Sequence, residues 1–103
     1  MNIVEYVIPL GENVRKRHYH KAERGRIKSF VVQLEAFIEQ NWRPVIRYDC
    51  VHGFPHIDYY NKRGEKKKEK LNMTLEDALT LANEDIKENW TRYIERFMKG
   101  VRP

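Results

Sequence analysis

A chain of 103 residues, 41% of them apolar, holds one domain and one core and excludes a second. Its 20 Lys and Arg against 15 Asp and Glu give a net charge of +5, which favours anionic partners such as RNA. No run approaches the ~20 apolar residues of a membrane span, no signal-peptide pattern opens the chain, and the single Cys50 excludes an internal disulfide; a soluble cytoplasmic protein is expected.

Residues 2 to 10, NIVEYVIPL, read as a strand, with Pro9 marking an edge or an end. The polar segment from Gly11 to Arg26 carries most of one basic run and allows an irregular strand over Val14 to His20. Within it Tyr19 is expected in the core. Residues 27 to 38, IKSFVVQLEAFI, alternate clearly. Phe30, Val32, Leu34, Ala36 and Ile38 fall on one face, and Ser29, Val31, Gln33, Glu35 and Phe37 on the other.

A turn over residues 39 to 43 leads to PVIRYDC, which sets Ile46, Tyr48 and Cys50 against Val45, Arg47 and Asp49. After VHGFP, the strand HIDYYN points Ile57 and Tyr59 inward and His56, Asp58 and Tyr60 outward. KKKEKL suits a short edge strand, where lysines discourage edge-to-edge pairing.

From Thr74 the period lengthens. Leu75, Ala78, Leu79, Ala82, Ile86, Trp90, Tyr93 and Phe97 form the stripe of an amphipathic helix, with Thr74 as N-cap and Gly100 as the stop. The expected fold is α+β: an antiparallel meander of four to six strands, with one long C-terminal helix on one face, over a single domain 1–103.

If paired residue numbers in the first central hairpin sum to 82, Glu35 faces Arg47 and Gln33 faces Asp49. In the next hairpin Asp49 faces His56 and Arg47 faces Asp58. Gln33, Glu35, Arg47, Asp49, His56 and Asp58 then converge on the face away from the helix. Ordinary cross-strand charge pairing would also place such groups together. The mixture of Arg, Asp and His nevertheless suits chemistry. Arg47 could clamp a phosphate, and His56, oriented by Asp49 or Glu35, could exchange protons in RNA cleavage, with Asp58 beside it. Arg15, Arg17, Lys66, Lys67, Gln33 and His52 are the candidate binding residues.

His52 and His56, and separately His18 and His20, could join Asp49 or Asp58 around a metal. An H-x-H pattern without a third defined ligand is a poor signal, and neither a metal nor a cofactor is assigned. Gly-rich phosphate loops, G-x-S-x-G, H-E-x-x-H and paired C-x-x-C motifs are absent.

Residues 27 to 70 resemble a family of short bacterial and archaeal proteins of unknown function. The shared pattern is a tryptophan turn, R-Y-D-x-x-H-G-F, a following His and Asp, and G-x-x-K. Here it falls on Trp42, Arg47, Tyr48, Asp49, His52, Gly53, Phe54, His56, Asp58, Gly64 and Lys67. More distantly, the R-Y-D strand and later histidines resemble TumE-type toxins. That resemblance implies a small ribonuclease acting on RNA beside a helix-turn-helix antitoxin partner. Two readings follow: an RNA-directed, metal-independent ribonuclease, or a non-enzymatic module that binds nucleic acid or protein. A homo-oligomer is compatible with either.

Overall fold

A computed structural model describes residues 1–103. Six strands, β1 (Asn2–Gly11), β2 (Val14–Glu23), β3 (Arg26–Ile38), β4 (Asn41–Asp49), β5 (His56–Tyr60) and β6 (Lys66–Lys70), precede one helix, α1 (Leu75–Lys99). The strands lie in chain order in one sheet, and every neighbouring pair is antiparallel. The expected α+β meander with a C-terminal helix is the fold.

The helix begins where Thr74 Oγ1 accepts the Asp77 N–H at 3.1 Å, with Glu76 and Asp77 at the positive end of the helix dipole. It ends at Gly100, whose left-handed backbone (φ 69°) lets its N–H donate to the Phe97 carbonyl. Its 25 residues span roughly 38 Å. Ala78, Ala82, Ile86 and Phe97 are buried on it against Phe30, Val32, Leu34, Ala36, Ile46, Tyr48, Cys50 and Ile57. The alanines let the helix approach closely, and each large side chain so buried contributes about 1.5–3 kcal/mol. Gly11 is required by the same closeness: a Cβ there would stand 2.9 Å from Trp90 Cη2.

Several sequence expectations give way. The β2 strand runs on to Glu23 and pairs with both β1 and β3 along its length, with register shifts only near its two ends. Tyr19 lies opposite Val31 on the outer face, half-buried and outside the core. The β3–β4 register is also different. Glu39 and Gln40 alone make the turn, both left-handed (φ 51° and 71°), so Ile38 pairs with Asn41. That tighter turn places Gln33 opposite Arg47 and Val31 opposite Asp49, while Glu35 faces Pro44.

A bulge between Leu34 and Glu35 leaves Val45 as the extra residue on β4. Val45 is 1% exposed and joins the core instead of the outer face. Were Val45 paired in the ladder instead of bulged, Ile46 and Tyr48 would turn to the outer face, since a one-residue slip exchanges the two faces of a strand. The bulge restores the alternation that brings Arg47 and Asp49 outward.

The two edges of the sheet differ. The β6 strand, KKKEK, is fully exposed and guarded by lysines, whereas β1 exposes Ile3, Val7 and Ile8 and carries no lysine. No helix is long and apolar enough to cross a membrane.

Candidate functional site

The β4–β5 ladder pairs Asp49 with His56 and Arg47 with Asp58, as the sequence suggests. With Gln33 and Glu35 of β3, these side chains share the sheet face away from α1. They are not solvated. Gln33, Glu35, Asp49, His56 and Asp58 are all buried, at 2–7% exposure.

Above them lies a second layer of longer side chains. Arg15 Nε donates to Glu35 Oε1 at 2.6 Å, and Arg17 Nη1 to Glu35 Oε2 at 3.4 Å. Gln33 Nε2 also donates to Glu35 Oε2, at 2.6 Å. Arg15 is further held 3.9 Å above the Trp42 ring. Arg47 donates from Nε to Asp49 Oδ2 at 2.5 Å and from Nη1 to Gln33 Oε1 at 3.1 Å. Glu35 and Asp49 are therefore acidic footings that hold three guanidinium groups in place. The partner of Glu35 is not Arg47, because the register moves Arg47 opposite Gln33.

Arg17, Arg47, Tyr19, Gln33, Val31 and Glu5 contribute to the lining of a hollow of about 570 Å³ on this face. It lies over strands β1 to β4. On the other side of β5, Lys66, Lys68 and Lys70 pair with Tyr60, Asp58 and His56, so alternate lysines of β6 share the outer face. Lys70 Nζ sits 4.7 Å from the Phe54 ring. Lys67 pairs with Tyr59 and points to the helix side. Lys68 and Lys70 thus belong to this face and Lys67 does not. The alternation along KKKEK carries that signal once Asp58 is placed outward.

His56 is closed in by the β4–β5 loop. His52, exposed on that loop, stacks over it with ring centroids 6.0 Å apart, and Phe54 lies at 6.1 Å. His56 Nε2 approaches Asp49 Oδ1 to 2.5 Å without the alignment of a hydrogen bond. Asp58 Oδ2 is 4.0 Å from the same nitrogen. One donor atom from each of Asp49, His56 and Asp58 lies within 4.8 Å of the others.

His18 and His20 occupy the opposite face. His18 Nε2 is hydrogen-bonded to His20 Nδ1 at 2.7 Å, and the Asn83 carboxamide oxygen of α1 lies 3.3 Å from His18 Nδ1. Asn83 also accepts from Lys16 Nζ at 2.9 Å. Burial depresses the His18 pKa, and the charges of His20 and Lys16 add to that against the Asn83 bond. This pair cannot join Asp49 or Asp58 around one ion, because the sheet separates them. A further polar node escapes the sequence pattern: Asp85 accepts from Tyr48 Oη at 2.6 Å and from Tyr93 Oη at 2.7 Å. Cys50 is a buried free thiol on the core side.

The fold and site define a small meander-and-helix protein with a buried Asp–His–Asp cluster beneath an arginine- and lysine-bearing face. The chain belongs to the family described as Domain of unknown function (DUF7718), whose model matches residues 1–103, helix included. No curated protein and no solved structure matches the chain.

Proposed function

We propose that this protein is RNA-directed and binds single-stranded RNA on the outer face of its sheet. The hollow beside Arg17, Tyr19, Gln33 and Arg47 carries the reading. Guanidinium groups suit phosphate and an aromatic ring suits an unstacked base, while the Gln33 carboxamide, engaged with Glu35 and Arg47, helps to hold the guanidinium in place. Single-strand binding modules combine these groups on exposed sheets. Arg17 keeps half of its side chain exposed (53%) and Arg47 a third (32%), so both retain donors for a ligand after pairing with Glu35 and Asp49. Lys66, Lys68 and Lys70 extend the positive surface past β5.

Binding is favoured over cleavage by the position of His56. At 2% exposure, its imidazole reaches no substrate while His52 and Phe54 close over it. The toxin-like reading would require that loop to open.

The test is the binding of a labelled single-stranded RNA to wild-type protein and to Arg17→Ala, with intact RNA followed on a gel. Wild-type binding that weakens about tenfold in the variant is the expected result. Undiminished binding by Arg17→Ala, or no binding by either, contradicts the proposal. Cleavage lost in His56→Ala would instead assign the ribonuclease activity.

A further inference from the structure

The carboxylate of Asp58 is buried and poorly satisfied. It is 3% exposed, its Oδ1 is buried without a hydrogen-bond partner, and its one ion-pair contact is His56 Nε2 at 4.0 Å. Burying an unpaired carboxylate is costly, and such groups are normally paired or coordinate a metal. Beside it, Asp49 Oδ1 and His56 Nε2 stand 2.5 Å apart, and Asp49 Oδ1 likewise has no hydrogen-bond partner. One donor atom from each of the three buried residues lies within 4.8 Å of the others, and His56 Nδ1, like Asp49 Oδ1 and Asp58 Oδ1, has no hydrogen-bond partner.

We propose that Asp49, His56 and Asp58 bind a divalent transition-metal cation. The site is independent of RNA binding in the hollow. One imidazole nitrogen with two carboxylate oxygens is a mixed donor set, intermediate between the sites preferred by Mg²⁺ and those preferred by copper. It suits Zn²⁺ or Mn²⁺. The cation would lie beyond Asp49, whose other oxygen is fixed by the Arg47 guanidinium, the outer-shell arrangement that orients a ligating carboxylate. His52, with its ring 6.0 Å from that of His56, is the further imidazole nearest to completing the shell. The backbone supports this convergence. Asp49 and His56 are paired across the ladder, and Asp58 is two residues on, on the same face of β5.

The site departs from the metal-independent reading of the sequence. The H-x-D spacing of His56 and Asp58 places two donors side by side on one strand face, and the β4–β5 register supplies the third.

The probes are Zn²⁺ and Mn²⁺ alone, added to tag-free, EDTA-stripped protein without RNA. Wild type, Asp58→Asn, His56→Gln and, as a control for the opposite face, His20→Ala are compared. Expected is one ion per wild-type chain, with the unfolding temperature raised by about 5 °C or more at saturation. Asp58→Asn and His56→Gln should each weaken binding by at least about tenfold, and His20→Ala should not. Metal-free Asp58→Asn should be no less stable than metal-free wild type, because it loses an unpaired buried charge. That comparison separates lost coordination from lost folding. Absence of binding to wild type at about 1 mM of either ion, far above the range of a folded metal site, overturns the proposal. So does equal affinity in Asp58→Asn. The result bears on the metal alone, because RNA binding in EDTA reads the hollow separately.

Discussion

Arg47 stands opposite Asp58 in the β4–β5 ladder, yet its guanidinium bonds along its own strand to Asp49 and across to Gln33 of β3. The partner that strand pairing offers is thus left aside. Asp49 receives the neutralising charge, and the Asp58 carboxylate is buried beside His56. This divided use of two nearby carboxylates organises the outer face. One anchors the Arg47 guanidinium, and the other keeps a buried oxygen without a hydrogen-bond partner.

Removing Arg47 should therefore expose the dependence of Asp49 on it. Arg47→Ala is expected to destabilise the fold by about 2 kcal/mol, less than a fully buried pair would cost because the guanidinium is partly solvated. Arg47→Lys should recover part of that loss, since an ammonium restores the charge without the two-pronged geometry. Urea unfolding of the three proteins reads the difference.

Asp85 ties the helix to the sheet through Tyr48 of β4, and within α1 it also accepts from Tyr93 Oη and from Asn89 Nδ2, each at 2.7 Å. Burial, reinforced by the bond to Asp85, holds both tyrosine hydroxyls above the ordinary range. Asp85→Ala leaves these donors without their acceptor and should cost about 2–4 kcal/mol, read as a lower denaturant midpoint at unchanged slope. In an alkaline titration, Tyr48 and Tyr93 should stay protonated until the protein unfolds. A folded pKa raised above its unfolded value gives stability that is present below the unfolded pKa and lost as the pH rises beyond it.

Glu76 supplies an acid-side test. Arg26 Nε donates to Glu76 Oε2 at 3.0 Å and the Ile27 backbone N–H at 2.9 Å, and these bonds lower the Glu76 pKa from 4.5 to about 2. Its contribution is therefore present above 4.5 and lost as the pH falls toward 2. Glu76→Gln should flatten the dependence of the unfolding temperature on pH within that window and leave its shape near neutrality unchanged. An unaltered acid limb would show that the link from helix start to β3 carries no stability.

Much of this architecture is legible in the chain because local signals agree. Thr74 and Gly100 bound a long apolar stripe, and the alternation through Phe30, Val32 and Leu34 separates the two faces. The short VHGFP connection sets Asp49 against His56. The β3–β4 register is hidden for a physical reason. Glu39 and Gln40 lack the Asn-Gly chemistry of a two-residue turn, and their left-handed conformation is backed by the edge-to-face contact of Phe37 and Trp42 across the hairpin, 5.2 Å apart. Val45 gives no sign in sequence that it is a bulge. Tyr19 reads as core because a strand tyrosine usually is, yet its partner Val31 belongs to the outer face. The burial of Asp58 is the least legible feature, since it depends on neighbours contributed by β3, β4 and the loop over His56.

The outer-face account is tested most directly by the salt dependence of single-stranded RNA binding. The comparison is wild type, a variant with Lys66, Lys68 and Lys70 all changed to Ala, and Lys67→Ala. If the three outward lysines contact phosphates, the triple variant should lower the slope of log K against log salt by about 2. Lys67→Ala, on the helix side of the same strand, should leave the slope as it is. Equal slopes in the triple variant and wild type, or as large a change from Lys67→Ala alone, would contradict the assignment of RNA to this face.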